Sequence, residues 1–215
     1  MTGRPVNIAI IGTGFIAETR ARAYGGVTGY EPRLVAAVSL SQAHADAYGR
    51  RHGITDTYAD YARVLERPDV DVVDLCVPNY LHRPMTEAAA QAGKHVICSK
   101  PLTAFDGSAL GPDREPSGVP RAEMLEAAAE NAAAMVEATS ESLIEKLETS
   151  AGWSPPAPDE DWAQGHRQMM QDFVASVADG KPPQSDGALG LDAIRVVYSA
   201  YLSAEQGRRV ELSAG

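Results

Sequence analysis

The chain is poor in cysteine. Only Cys76 and Cys98 occur among its 215 residues; each lies in its own apolar run, and neither belongs to a CxxC pair. Disulfide frameworks and zinc sites both need several cysteines or histidines at short, regular spacings. We therefore exclude a disulfide-stapled scaffold and a zinc site, and we predict two reduced, buried thiols.

Basic residues are also scarce. The chain has 19 lysines and arginines against 29 aspartates and glutamates, which makes the formal net charge −10. Proteins that bind nucleic acid or anionic lipid depend on clustered positive charge, so we predict neither nucleic acid nor membrane as a partner. His44, His52 and His95 lack the spacing of metal ligands, and we predict no metal site.

Long apolar runs are missing. The first apolar run, Val6–Ile11, is followed at once by glycines and is too short for a signal peptide core or a membrane helix. With 44% hydrophobic and 22% charged residues, the composition is that of an ordinary soluble globular protein. We expect a cytoplasmic protein with one domain and an appendage, or two small domains.

Apolar runs and helical patterns alternate through the first hundred residues. Val6–Ile11, Leu34–Leu40, Val70–Val77 and His95–Cys98 are predicted strands, separated by helical segments. Continuous apolar strands that alternate with helices indicate a parallel sheet covered on both faces. We predict an α/β fold over residues 1–104, a Rossmann doubly wound parallel sheet, with a helical C-terminal extension.

The pattern changes after the last of these strands. Residues 105–120 are dense in glycine, proline and charge, which is typical of a loop. Apolar residues then recur at spacings of three, four and seven over Arg121–Thr149, which predicts one long helical stripe. A capping box formed by Ser142 and Glu145 would restart the helix, so a break there is an open alternative.

Two more helices are expected near the C-terminus. The first carries the stripe from Trp162 to Val177 and follows a proline-rich linker. The second is predicted over residues 188–205, with Gly207 as the residue that ends it. Residues 209–212 are compatible with a short final strand.

The strongest motif follows the first strand. Gly12, Gly14 and Ala17 form the pattern GxGxxA between a strand and a helix. The first glycine permits a tight turn, the second lets the backbone approach a pyrophosphate, and the alanine lets the helix pack closely on the strand. The helix N-terminus favours phosphate through its N–H groups and partial positive charge. The context indicates dinucleotide binding; glycines that serve packing alone are the alternative interpretation.

The residue after the second strand departs from the NAD-binding pattern. An acidic side chain usually stands there and accepts hydrogen bonds from the ribose hydroxyls, whereas this chain has Ser39. A serine does not repel a 2′-phosphate, so the expected cofactor is NADP or NAD. Helix capping by Ser39 and Ser41 is an equally good interpretation of these serines.

Three further motifs follow in a fixed order. They are PN..H from Pro78, GKHV from Gly93 and KPL from Lys100. Together with GxGxxA, they resemble the glucose-fructose oxidoreductase and inositol dehydrogenase family (Gfo/Idh/MocA). The resemblance is close over residues 5–104 and returns from Asp172 to the C-terminus.

This resemblance implies an NAD(P)-dependent oxidoreductase that acts on a sugar, polyol or similar hydroxyl compound. Lys100 matches the lysine of the family's EKP motif, which reaches the reacting hydroxyl or carbonyl, while Ser99 replaces the usual glutamate. Outside such a motif, a lone lysine is typical of a solvated surface. The resemblance also implies cofactor contacts at the pyrophosphate, the adenosine ribose and the nicotinamide-side ribose, in that order: Gly12, Gly14, Phe15 and Ile16; Ser39; Pro78, Asn79 and His82.

The middle of the chain departs from the family pattern. Family members continue into a large open sheet that holds the substrate and contributes a catalytic histidine. Only about twenty residues separate Ser140 from Asp161, which is too few for such a sheet. We predict that residues 121–215 are a helical remnant of that domain. His166 is expected to pack against the core rather than to act in catalysis.

Two functions are therefore open. The first is an oxidoreductase with slow or absent turnover, whose partners are a nicotinamide dinucleotide and a small sugar-like substrate. The second is a catalytically deficient dinucleotide-binding or oligomerisation module whose substrate domain is deleted. In both cases we expect a homodimer through an apolar stripe on the helices after Arg121. The stripe consists of Leu125, Ala132, Val136, Leu143 and Leu147.

Overall fold

The computed structural model describes residues 4–105, 107, 118–139, 143–145 and 160–212. Its strands are β1 (Val6–Ile11), β2 (Pro32–Val38), β3 (Thr57–Tyr58), β4 (Val72–Leu75), β5 (His95–Cys98) and β6 (Leu143–Glu145). Its α-helices are α1 (Phe15–Tyr24), α2 (Gln42–His52), α3 (Ala62–Leu65), α4 (His82–Gln91), α5 (Arg121–Thr139), α6 (Glu160–Asp179) and α7 (Gly187–Gln206). Residues Asn79–Leu81 form a 3₁₀ turn before α4.

The strands form one parallel sheet in the order β3-β2-β1-β4-β5-β6. The chain runs outward from β1 to β3, then returns to the other side of β1 with β4. This reversal leaves a crevice beyond the carboxyl ends of β1 and β4, where ligands of doubly wound sheets bind. The topology confirms the predicted Rossmann fold.

Both faces of the sheet are buried. In β1, Val6, Ile8 and Ile10 pack on one face with Phe173 of α6, and Ala9 and Ile11 pack on the other face with buried residues of α5 and α7. Side chains of a strand alternate between faces, so a strand covered on both sides must be apolar throughout. The helices after residue 120 therefore complete the core of the Rossmann sheet.

A buried ion pair joins α1 to the centre of the sheet. Arg20 donates to the carboxylate of Asp74 and, at 3.0 Å, to the carbonyl oxygen of Cys98. Tyr24 donates to the same carboxylate at 3.0 Å, and burial together with that carboxylate raises the pKa of Tyr24 well above its usual value. Arg20 is 1% exposed and Asp74 is fully buried. The network fastens one helix to two neighbouring strands.

The predicted helix over residues 121–149 is wrong beyond Thr139. The helix α5 ends there, and Leu143–Glu145 form β6, which pairs with β5 at Val96, Ile97 and Cys98. A short apolar run is compatible with either a strand or a helix. Here the unpaired backbone groups at the edge of β5 bond this segment as a strand. Residues 146–149, including Leu147, lie outside the described residues.

The stripe expected to form a dimer therefore does not form one helical surface. Ala132 is fully buried, and Val136 packs against the core on the sheet. Residues 209–212 contain no strand, so that expectation is also wrong, whereas α7 ends as predicted before Gly207, whose φ is +62°. Within the described parts of the chain, no helix is both long and apolar enough to cross a membrane.

We expect the buried pair to dominate the response of stability to mutation. Asp74→Ala leaves the charge of Arg20 buried without its partner, which costs about 3–5 kcal/mol in free energy of unfolding, measured by urea denaturation. Glu31→Ala removes the partner of Arg33 in a pair whose side chains are 49% and 53% exposed. That control costs at most about 1 kcal/mol. Equal losses in the two variants would contradict the role given to the pair.

Candidate dinucleotide-binding site

Four predicted site residues lie at one edge of the sheet. Ser39 follows β2, Gly12 follows β1, Pro78 follows β4 and Lys100 follows β5. The strands are adjacent in that order, and three strand spacings of about 4.8 Å separate the first from the last by roughly 14 Å. The edge therefore presents an extended row of loops on both sides of the switch point, a geometry suited to an elongated ligand.

The two glycines of the turn are required for different physical reasons. Gly12 has φ +92°, and a Cβ there would lie 2.4 Å from the carbonyl oxygen of Cys76, so packing alone requires glycine. Among the described residues, a Cβ on Gly14 would meet nothing within 4 Å, and φ is −86° there, so packing does not require a glycine. A glycine at this position lets a ligand approach the backbone closely, as a pyrophosphate does in this motif.

The helix α1 begins directly behind this turn. Gly14 is its N-cap residue and has no side chain to bond the first N–H groups of the helix. Ala17 is fully buried and packs with Ile8 and Ile10 of β1, as predicted for the third motif position. Tyr48 of α2 donates to the Ala17 carbonyl oxygen at 2.9 Å. Phe15 is 71% exposed and Ile16 is half-buried, so both are accessible beside the turn.

Ser39 and Ser41 have separate roles. The hydroxyl of Ser39 lies 2.8 Å from that of Thr13 in the glycine turn, which joins the end of β2 to the turn after β1. The hydroxyl of Ser41 accepts a hydrogen bond from the N–H of His44 at 3.3 Å and caps α2. The capping interpretation is therefore confirmed for Ser41 alone. Between them, Leu40 is 97% exposed.

Arg51 is held by an acidic neighbour. Arg51 of α2 donates to Glu18 of α1 at 2.5 Å, and the ring of His52 lies 2.8 Å from the same carboxylate. Partial burial opposes ionisation of Glu18, but these hydrogen bonds lower its pKa below the usual value. Arg51 is thus committed to a carboxylate.

The loop after β4 carries the PN..H motif. Pro78 is exposed, Asn79 opens the 3₁₀ turn, and Tyr80 is 59% exposed beside them. His82 is fully buried, and its two ring nitrogens lie 2.9 Å from the carbonyl oxygen of Val77 and 3.0 Å from that of Leu102. His82 therefore lies behind the loop surface, where it joins the loops that follow β4 and β5.

Lys100 stands on an anchored loop. Its side chain is exposed, and the Lys100–Pro101 peptide bond is cis. The residues on each side are fixed: Ser99 continues the strand by donating its N–H to Leu75 at 3.0 Å, and Leu102 is fully buried. Farther along, the N–H of Phe105 donates to the hydroxyl of Tyr198 in α7 at 2.8 Å. Both the sheet and the C-terminal helices hold this loop.

Sequence reasoning missed the charged core and two exposed apolar residues. Asp74 interrupts the apolar run of β4, and this interruption was a signal that a buried partner such as Arg20 was needed. Leu40 is 97% exposed and Tyr80 is 59% exposed, each in a polar turn after a strand. His166 is 2% exposed and packs inside, as predicted. The described residues contain no group of three potential metal ligands.

The fold and the glycine turn define a dinucleotide-binding Rossmann protein. Residues 6–110 match the Gfo/Idh/MocA model of an oxidoreductase family with an NAD-binding Rossmann fold. Residues 125–212 match the model of that oxidoreductase family's C-terminal alpha/beta domain. The chain belongs to this family, as the sequence motifs predicted.

Curated relatives with similar sequences are sugar dehydrogenases. Levoglucosan dehydrogenase of Pseudarthrobacter phenanthrenivorans is 35% identical over 103 residues, which are 45% of this chain and 26% of that protein. D-apiose dehydrogenase of Paraburkholderia graminis is 36% identical over 114 residues, which are 52% of this chain and 30% of that protein. The chain thus spans less than a third of the length of these relatives.

Solved structures share the same fold. Levoglucosan dehydrogenase in complex with NADH and levoglucosan has a TM-score of 0.52 at 26% identity, covering 65% of this chain and 33% of that one. KijD10, a 3-ketoreductase from Actinomadura kijaniata in complex with TDP-benzene and NADP, has a TM-score of 0.51 at 25% identity, covering 66% and 38%. Similar folds therefore hold NADH in one case and NADP in the other.

The two glycines allow a test that separates folding from binding. Gly14→Val places a branched side chain where the backbone meets a pyrophosphate. We expect the dissociation constants for NADH and NADPH, measured by calorimetry, to rise at least tenfold. The free energy of unfolding should fall by at most about 1 kcal/mol. Gly12→Ala, by contrast, costs more than about 2 kcal/mol of stability because of its clash and positive φ. Unchanged binding in Gly14→Val would contradict the assignment of this turn.

Proposed function

We propose that this chain is the cofactor-binding part of an NAD(P)-dependent oxidoreductase that acts on a sugar, polyol or related hydroxyl compound. One observation carries the proposal: Ser39, Gly12, Pro78 and Lys100 follow four adjacent strands at one edge of the sheet. In this arrangement the adenosine lies beside Ser39, the pyrophosphate at the glycine turn, and the nicotinamide toward Asn79. The similarity to levoglucosan dehydrogenase and D-apiose dehydrogenase supports the substrate class.

The chemistry needs a polar group near the nicotinamide. A bound nicotinamide accepts or supplies the hydride. The ammonium of Lys100 is exposed on the loop after β5, where it hydrogen-bonds a substrate oxygen and stabilises the charge that develops as hydride moves. Phe15 and Tyr80, both exposed, offer apolar surface against the cofactor. Burial of these side chains by the cofactor adds to binding.

A second function follows from the limited site. In the described residues, the strands all belong to the Rossmann sheet, and no second sheet encloses the region near Lys100. Enclosure excludes water and orients the substrate, and orientation alone lowers a barrier by about 7–11 kcal/mol. Slow turnover is thus expected from this chain. Cofactor binding without turnover would identify a dinucleotide-binding or oligomerisation module instead.

Lys100→Ala tests the catalytic assignment. We expect kcat with sugars and polyols to fall by about a hundredfold or more, because general acid–base groups contribute that much, while the dissociation constant for NADH stays within about twofold. Lys181→Ala is the matched control: Lys181 is 75% exposed and lies near Asp179 at the end of α6. Turnover that survives in Lys100→Ala would contradict the role of Lys100.

We also propose that NADP binds at least as well as NAD. The hydroxyl of Ser39, after β2, lies 2.8 Å from that of Thr13, in the turn after β1, so a 2′-phosphate there would meet hydroxyl donors and no carboxylate from residue 39. The structures of the NADH and NADP complexes share this fold, so the fold itself permits either cofactor.

Ser39→Asp tests the preference between cofactors. A carboxylate at this position repels the 2′-phosphate, so the affinity for NADPH falls at least tenfold, about 1.4 kcal/mol, while that for NADH does not fall. In the control Ser39→Asn, the asparagine has the size of aspartate but no charge, so we expect the ratio of the two affinities to stay as in the parent. A ratio that is equal in Ser39→Asp and the parent would refute the proposed preference.

Assembly, domain limits and location complete the proposal. The exposed apolar side chains of α7 suit a homodimer better than the stripe on α5, because they are 41–58% exposed: Leu189, Val196, Val197 and Tyr201. Light scattering at micromolar concentration measures the molar mass and so distinguishes a dimer from a monomer.

We propose a Rossmann domain over 1–104, a loop over 105–120, and a remnant of the C-terminal domain over 121–215, in a cytoplasmic protein. The family match over residues 125–212 supports the last division.

A further inference from the structure

The imidazole of His82 touches both flanks of the loop that carries Lys100. Its Nδ1 lies 3.0 Å from the carbonyl oxygen of Leu102, and its Nε2 lies 3.2 Å from the hydroxyl of Ser99. The same Nε2 lies 2.9 Å from the carbonyl oxygen of Val77, in the loop after β4. His82 is fully buried and Ser99 is 7% exposed, so solvent does not substitute for these contacts. One ring thus joins two loops at the edge of the sheet.

A neutral imidazole cannot donate to both carbonyl oxygens, because it has a single N–H. Burial lowers the pKa of His82 below its usual value, and the positive charge of Arg20 acts in the same direction, against the raising effect of the backbone carbonyl groups. The ring is therefore neutral at pH 7. Its proton must lie either on Nδ1, facing Leu102, or on Nε2, facing Val77.

The hydroxyl of Ser99 breaks this near-symmetry. With the proton on Nδ1, His82 donates to Leu102 and Nε2 accepts from Ser99, which makes two hydrogen bonds. With the proton on Nε2, His82 donates to Val77, and the Ser99 hydroxyl loses the ring as its acceptor. In either state the bare nitrogen faces one carbonyl oxygen, so those two contacts offset each other and the Ser99 contact decides. The first state makes one more hydrogen bond. In this state His82 also bonds the residues on both sides of Lys100 and Pro101, namely Ser99 and Leu102.

We infer that Ser99 selects the Nδ1-protonated tautomer of His82, so that the two side chains act together as positioning residues for Lys100. An ionised carboxylate accepts hydrogen bonds and does not donate them, so a glutamate at position 99 would favour a proton on Nε2 instead. The positioning role rests on the proposed function of Lys100. The tautomer of His82 does not depend on that function.

Nitrogen-15 NMR of the histidine rings tests this in the protein without cofactor. The resonances of His82 are identified by their loss in His82→Asn. In the parent we expect a protonated Nδ1 and an acceptor Nε2. Ser99→Ala shifts the tautomer ratio about fivefold toward Nε2–H, which corresponds to about 1 kcal/mol. Ser99→Thr keeps a hydroxyl and restores the parent ratio, and Ser99→Glu moves the proton to Nε2.

A proton on Nε2 in the parent, or an unchanged ratio in Ser99→Ala, would overturn the inference. Hydrogen exchange of a peptide spanning residues 99–102 gives the second measurement, with faster exchange expected in Ser99→Ala and parent-like exchange in Ser99→Thr. Neither measurement needs cofactor or turnover. Failure of the tautomer prediction is thus separate from failure of NAD(P) binding, which calorimetry reports.

Discussion

The buried pair of Arg20 and Asp74 is the constraint on which the site depends. Arg20 belongs to the helix that follows the glycine turn, Asp74 belongs to β4, and the second contact of Arg20 is the carbonyl oxygen at the end of β5. Breaking such a pair leaves a charge without solvent or partner, so α1 cannot shift without a large cost in free energy. The pair thereby holds the glycine turn and the two strands that lead to Asn79 and Lys100 in one arrangement.

The site is therefore rigid behind its surface and accessible at it. Gly12 fits against the backbone of Cys76, Ala17 packs under Tyr48, and His82 joins the loops that follow β4 and β5. In front of this layer lie exposed groups, among them Phe15 and Lys100. Preorganised support behind exposed contacts is what a cofactor site needs, because order already present in the protein need not be created on binding.

Much of the first hundred residues was predictable because local and global signals agree there. Continuous apolar strands, a capped helix at Ser41 and the GxGxxA turn each have a short-range physical cause. The strand Leu143–Glu145 was not predictable, because the periodicity of three and four did not reveal that this segment pairs with the edge of β5. The placement of His82 also depended on contacts with Leu102, which is twenty residues away in the chain.

The amino-acid sequence alone determined the parallel sheet, the glycine turn and the membership of an oxidoreductase family, since these follow from patterns within a few tens of residues. The tertiary structure alone decided which polar residues are buried and what they hold. Arg20 and Asp74 meet across 54 positions, and the ring of His82 meets acceptors from two loops. Such contacts depend on the packing of helices on a sheet. A polar group buried in a low-dielectric interior requires a partner, and a local sequence pattern does not show which distant residue that partner is.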